Sequence, residues 1–517
     1  MSVPPLQPND VRRSGSVWHS LQYDLLHYIV DMNADMFSDG TALETTRRTA
    51  QVCRTWREMM LNTPALWANL IDLDKLRLAS NEWRVEVLRR SGDALLSLKA
   101  EFAIAAAPSP ISQFFFNILD SRWDRIQRLY VRSVVCSSEL SDWAPLFRPA
   151  PHLKSCVLHF GTPKVIRHLE GQAPGPLLAS NAPMLRELNA WHFKFDIHAP
   201  WMYNLRALHI GSPFTLCEIL TALGKAPNLR YLYVNDISDL SSQSPLHVVS
   251  LPSLCRLTLS VRIRACICVL DYLDLSSSCA LEYSPPKIRR AQEIEKDTFC
   301  LSINAISKFA ARHFQKCSPQ YVSLCHDHNS ILFRAGRYPN DITFTFHLSS
   351  APHINLPTYA TSTLLHALTL REFAHATKLQ LRIHDLFPSE AFAPFLVYFD
   401  AVEKVEINER AITHLIEASS ALGLPEDKER RTLFPVLKAL KITELSSLYV
   451  RCNTGVMMRF VRTRRDAGLP LAVLDLAQYE PNGAPENIAS IERDGLTVQW
   501  TRQEDGDNLE EWFGQEL

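Results

Sequence analysis

Leu229-Arg230-Tyr231-Leu232-Tyr233-Val234 decides the fold. Its aliphatic residues stand at the first, fourth and sixth places. On an extended chain the fourth and sixth side chains share one face, and the residue between them points to the other. The lead-in Lys225-Ala226-Pro227-Asn228 carries a proline, which disfavours helix and marks a turn before the strand. The same spacing recurs at Ile126/Leu129/Val131, Leu153/Cys156/Leu158, Leu205/Leu208/Ile210 and Leu254/Leu257/Leu259. It returns at Val402/Val405/Ile407, Leu437/Leu440/Ile442 and Leu471/Leu474/Leu476, with a partial copy over Leu185, Leu188 and Ala190. Ala150-Pro151-His152 and Asn181-Ala182-Pro183 are lead-ins of the same kind.

First positions at 126, 153, 185, 205, 229 and 254 are separated by 27, 32, 20, 24 and 25 residues. A leucine-rich repeat, which this pattern resembles, runs about 20–29 residues per unit. Between strands, Leu216, Ile219, Leu220 and Leu223 have helical spacing. The expected architecture is an α/β repeat, an irregular leucine-rich-repeat solenoid of short parallel strands with outer helices. The asparagine that usually turns the chain after each strand is mostly missing, with Asn235 after Val234 as an echo. The pattern fades over residues 276–330, where Ser284-Pro285-Pro286 to Asp297 reads as a polar surface loop.

Ahead of the repeats, Leu21, Leu25, Leu26, Ile29 and Val30 make an apolar stripe on a helix from about Gln22 to Asn33. Ser38-Asp39-Gly40 breaks it. A second helix is expected after Thr41, running through Val52, Cys53 and Trp56 to Met60 and ended by Pro64, with Arg47, Arg48, Arg54 and Arg57 on the outer side. Val52-Cys53-Arg54-Thr55-Trp56-Arg57, then Pro64-Ala65-Leu66-Trp67, with Leu21-Gln22-Tyr23-Asp24-Leu25-Leu26 before them, resembles an F-box. The family's second-position proline is Gln22 here, and its glutamate is Asp24.

Trp83 to Leu98 reads as a helix ending at Ser91-Gly92 and a strand over Leu95–Leu98. That linker is similar to those of the large F-box families of mushroom-forming fungi. So is Val461 to Leu471, a helix capped by Gly468 feeding the last repeat strand. The division implied is a flexible tail over residues 1–15, the F-box over 16–76, a linker helix and first strand over 77–100, the repeat-like domain over 101–500 and an acidic tail over 501–517.

The resemblance implies a substrate-recognition adaptor of a Skp–cullin–F-box ubiquitin ligase, with no catalysis of its own. The F-box would dock a Skp-type linker protein and through it a cullin ligase; the repeats would bind an unknown protein substrate. The docking residues it implies are Leu21, Leu25, Leu26 and Ile29 as a contact ridge, Val52, Cys53 and Trp56 as the core behind it, and Leu66 and Trp67 as a clamp. The alternative is a non-degradative protein-interaction scaffold.

Composition excludes other classes. Lys plus Arg is 54 and Asp plus Glu is 55, a net charge of −1, which argues against a nucleic-acid binder. No secretory signal precedes Val17, and no stretch reaches 18 apolar residues; Phe102–Leu119 is broken by Pro108 and Pro110. No membrane association and a cytoplasmic or nuclear location are therefore expected. Twelve scattered cysteines, among them Cys266 and Cys268, include no paired zinc spacing and read as free thiols. His326-Asp327-His328 is the most metal-like triplet, and His384-Asp385 could pair as a base with its orienting acid. Neither has the further ligands or nucleophile that chemistry needs, so no metal, cofactor or catalytic residue is assigned. Arg462, Arg464 and Arg465 read as the solvated face of a helix.

Overall fold

The structure, a computed structural model, describes residues 23–101, 109–133, 140–160, 175–190, 192–238, 240, 246–290, 295–383, 389–422, 432–444, 454–476 and 496–499. It is a mixed α/β fold built on mostly parallel sheets flanked by helices, in two compact units, Met1–Leu205 and Arg206–Leu517.

The first unit opens with α1 (Tyr23–Asn33), α2 (Ala42–Thr49), α3 (Arg54–Leu61) and α4 (Pro64–Ala68). The single second helix expected from the sequence is thus broken in two. Cys53 is extended (φ −153°, ψ 170°), and its Sγ accepts the Trp56 amide at 3.5 Å as the cap of α3. Pro64 opens a helix instead of ending one, because at the first helical position its missing N–H has no partner to lose. Next come β1 (Ile71–Asp72), α5 (Leu73–Leu76), α6 (Asn81–Arg90) and β2 (Leu96–Ala100). The turn between α6 and β2 uses Gly92 at φ +49°, a left-handed conformation that favours glycine. After Ser109 caps α7 (Pro110–Ser121), strands β3 (Ile126–Ser133), β4 (Ser155–Phe160) and β5 (Glu187–Ala190) complete a parallel sheet in the order β1-β2-β3-β4-β5.

The sequence pattern becomes register. Leu98, Leu129, Cys156 and Leu188 lie side by side across β2 to β5, and Ala100, Val131, Leu158 and Ala190 form the next row; all eight are buried. The residues that open the motif close the turn before each strand. Leu153 N–H donates to the Ala150 carbonyl at 3.3 Å and Leu185 N–H to that of Ala182 at 3.0 Å.

In the second unit come β6 (Ala207–Gly211), α8 (Leu216–Gly224), β7 (Tyr231–Asn235), β8 (Val249–Leu251), β9 (Arg256–Ser260), α9 (Ile263–Asp271), β10 (Leu273–Leu275) and β11 (Ala280–Tyr283). A capping box between Thr215 and Glu218 starts α8 where the apolar spacing predicts a helix. Then follow α10 (Lys296–Lys316), β12 (Tyr321–Asp327), β13 (Ser330–Tyr338), β14 (Asp341–Ser349), α11 (Thr358–Ala367), β15 (Lys378–Ile383), α12 (Ser389–Leu396), β16 (Lys404–Asn408), α13 (Glu409–Leu422), β17 (Ala439–Glu444), α14 (Thr454–Asp466), β18 (Val473–Leu476) and β19 (Thr497–Gln499).

Strands β6, β7, β9, β11 and β14 pair in parallel, as do β12, β15, β16, β17, β18 and β19. Strand β13 joins the two sets by antiparallel pairing with β14 and β12. The region where the pattern fades therefore holds a 21-residue helix and leads into two hairpins that end at Ser349, and Lys296 and Asp297, read as loop, begin that helix. The apolar rows pass through regardless: Leu208, Leu232, Leu257 and Leu281 on one side of the hairpins, Leu379, Val405, Leu440 and Leu474 on the other. Beneath them an aromatic cluster packs Phe373 against Phe399 at 5.3 Å, Phe314 against Phe344 at 5.4 Å and Phe333 against Phe395 at 6.3 Å between ring centroids.

Candidate docking surface

Among the described residues, fifteen large hydrophobic side chains are exposed, and six of them fall between residues 25 and 61: Leu25, Tyr28, Ile29, Met32, Val52 and Leu61. Exposed apolar residues scattered singly need no explanation, but a concentration of them marks an interaction surface. Leu25, Tyr28, Ile29 and Met32 are spaced i, i+3, i+4 and i+7, one face of α1. The adjacent stripe, Leu26 and Val30, is buried within the unit. So the expected ridge is divided: Leu25 is 49% and Ile29 38% exposed, Leu26 only 6%, and Leu21 lies outside the described residues. Tyr28 and Met32 belong to the ridge and were missed; their spacing from Leu25 was the available signal.

The remaining predicted docking residues are not brought together. Val52, expected in a core, is 64% exposed because the chain leaves α2 before it. Cys53 caps α3 and Trp56 is half-buried. Leu66 and Trp67, expected to clamp a partner, are fully enclosed by their own unit. The Trp67 indole N–H donates to the Met60 carbonyl at 2.8 Å, its ring stands edge-on to Trp83 at 6.3 Å, and the Arg90 guanidinium lies 4.5 Å above it. Glu86 accepts from Arg89 and Arg90, which together hold its carboxyl down to about 2.

The loop after α1 is tied to the strands of the same unit. Asp35 pairs with Arg128 of β3 at 3.1 Å, the Arg128 guanidinium sits 3.8 Å over the Phe37 ring, and Phe37 meets Tyr130 edge-on at 6.3 Å. Burial pushes the Asp35 carboxyl up. The Phe37 amide, the Ser38 hydroxyl and Arg128 outweigh it and hold the group below its ordinary range. Arg84 is buried and donates to the carbonyls of Leu76 and Arg77 at 3.0 and 2.8 Å, closing the C-terminal end of α5. The polar contacts hold the loop after α1 to the strands, and the solvent side of α1 carries Leu25, Tyr28, Ile29 and Met32 beside exposed Asp31 and Asn33.

The two histidines of the metal-like triplet stand in different surroundings. His326 is buried with its Nε2 3.1 Å from the Thr361 hydroxyl, whereas His328 is exposed beside Asp327 at 2.5 Å. Among the described residues no group of three or more His, Cys, Asp or Glu could hold a metal ion; His384 and Asp385 lie outside them. The Cys266 thiol is buried and pushed up by desolvation, while Cys268 is half-buried. No helix among the described residues is long and apolar enough to cross a membrane. Arg464, read as solvated, is buried and donates to the carbonyls of Leu433 and Phe434 at 2.8 and 2.9 Å. An arginine at an apolar-flanked position can serve backbone carbonyls as readily as water.

No family model matches the chain, and no curated protein matches it.

Proposed function

We propose that the chain is a substrate-recognition adaptor of a Skp–cullin–F-box ubiquitin ligase. The observation that carries this reading is the exposed face of α1, Leu25, Tyr28, Ile29 and Met32, raised on a helical segment that its own unit already anchors from behind. A helix with one apolar face buried and a second exposed suits docking in a partner's groove, where a few large anchors supply most of the affinity. The strand-and-helix array, read as leucine-rich-repeat-like, carries in its second unit a polar row, Arg334, Ser323, Gln380, Glu406 and Lys441, suited to a protein target. Such an adaptor breaks no bond; it holds target lysines near the charged enzyme by raising their effective concentration.

The test is co-expression of the full chain with a Skp-type linker and recovery of the complex. Leu25→Asp with Ile29→Asp is expected to abolish recovery while leaving the far-ultraviolet circular dichroism unchanged, since both side chains are solvent-exposed. Undiminished recovery of the linker by the double variant, or none by the intact chain, refutes the reading.

A further inference from the structure

The apolar rows of the second unit alternate with a polar row on the other face of its sheet. Crossing β13, β12, β15, β16 and β17, that row reads Arg334, Ser323, Gln380, Glu406 and Lys441 in register. Two residues to either side on the same face, β15 adds Lys378 and Arg382, and β16 adds Lys404. Five cations thus share this stretch of sheet with one carboxylate. Glu406 already takes Lys378 at 3.0 Å and Lys404 at 3.5 Å. It is buried, yet Lys378, Lys404 and Lys441 hold its carboxyl below the ordinary range. Even with Asp475 beside Lys441 on the next strand, the described cations of this face outnumber its carboxylates, and Arg334 keeps a buried Nε without a hydrogen-bond partner. Burial, helped by Arg334 and Lys287, pushes His347 down to about 4. Neutral donors stand between the charges, where Tyr321 and Ser323 hydroxyls both engage the Gln380 side-chain oxygen, at 2.6 and 3.0 Å.

We propose that this face, centred on Arg334, Lys378, Arg382, Lys404 and Lys441, binds an extended acidic segment of a partner protein. The proposal rests on the adaptor reading for its biological sense, naming the class of target the array selects. Four strand spacings separate Arg334 from Lys441, about 19 Å, or about six residues of extended chain. A segment with a carboxylate at every third residue carries about three along that span, at the strands of Arg334, of Lys378 and Arg382, and of Lys441, and its backbone amides can face Glu406. A nucleic acid fits less well. Its unbroken run of phosphates would meet Glu406, and Asp475 one strand beyond Lys441 in the same row.

The experiment is fluorescence anisotropy with the purified full chain and a labelled peptide of about twelve residues, Glu at every third position among Gly and Ser. Matched probes are the same peptide with Gln for each Glu and a single-stranded oligothymidylate. The acidic peptide is expected to bind at least about tenfold more tightly than either, and to weaken with added salt. Arg334→Gln and Lys404→Glu should each weaken it about tenfold. The side chain of Lys404 is 43% exposed, so that variant leaves the core alone. Arg312→Glu, exposed on α10, should change nothing. Equal binding of the Gln peptide, tighter binding of the oligonucleotide, or undiminished binding by both variants overturns the proposal. No linker protein is present, so failure here is distinct from failure of linker recovery.

Discussion

Replacing Trp67 by alanine separates a side chain that holds the fold from one that meets a partner. The indole is wholly enclosed, donates to the Met60 carbonyl at 2.8 Å and stands between Trp83 and Arg90. Removing a buried aromatic from a core that collapses only partly costs about 3–5 kcal/mol. The Met60 carbonyl, left without its donor, adds about 1–3 kcal/mol. These overlap, so a local loss of about 4–6 kcal/mol is expected. A chain of two compact units does not melt in one step, so hydrogen exchange followed by mass spectrometry is the better readout than a melting temperature. At about 1.4 kcal/mol per tenfold, amides in α4 and α6 should exchange about a thousandfold faster or more. Trp67→Phe keeps a ring and loses the donor, and should show about 1–3 kcal/mol. If Trp67→Ala leaves exchange within about tenfold of the parent while linker recovery vanishes, Trp67 is a partner contact and the packing argument is wrong.

Asn408 is buried, accepts from Ile383 and Ala411 amides at 3.1 and 3.3 Å and donates to the Ile383 carbonyl at 2.9 Å; Asn408→Ala should destabilise the second unit by about 3 kcal/mol, read by urea unfolding. Gly211→Ala would put a Cβ 1.9 Å from the Asn235 carbonyl oxygen, so β6 and β7 must part, and amides of both strands should lose exchange protection. His347 takes up its proton near 6.5 when unfolded but only at about 4 in the fold, so stability falls as pH drops from about 6.5 and levels off near 4. The loss should reach up to about 3 kcal/mol, and His347→Gln should flatten the urea midpoint over that interval.

The parallel strands were legible because each encodes its burial twice. Within a strand, alternate residues face the core; between strands, identical positions become lateral neighbours. Leu232 and Val234 could be read as inward from their own segment, and the segments 20–32 residues away agreed. Asn408 was equally legible and overlooked: it directly follows Ile407 as Asn235 follows Val234, and it bonds back to β15. The fading of the pattern over residues 276–330 marked an interruption, but the antiparallel course of β12 to β14 was not legible, since side-chain pattern along a strand carries no sign of strand direction.

The N-terminal helices show the same division. Spacing alone established that α1 is amphipathic; that Trp56, Leu66 and Trp67 are anchors of some kind was implied by the F-box resemblance. Leu25, Leu26, Ile29 and Val30 cover two adjacent stripes, and either could face inward. Only the tertiary structure chose: Leu26 and Val30 turn to the unit, while Leu25 and Ile29 face solvent. It likewise enclosed Trp67 against Trp83 and Arg90, and left Val52 outside once the chain broke helix before Cys53. Periodicity reports that side chains are apolar and aligned. Which surface covers them depends on residues distant in the chain, and those arrive only when the whole unit packs.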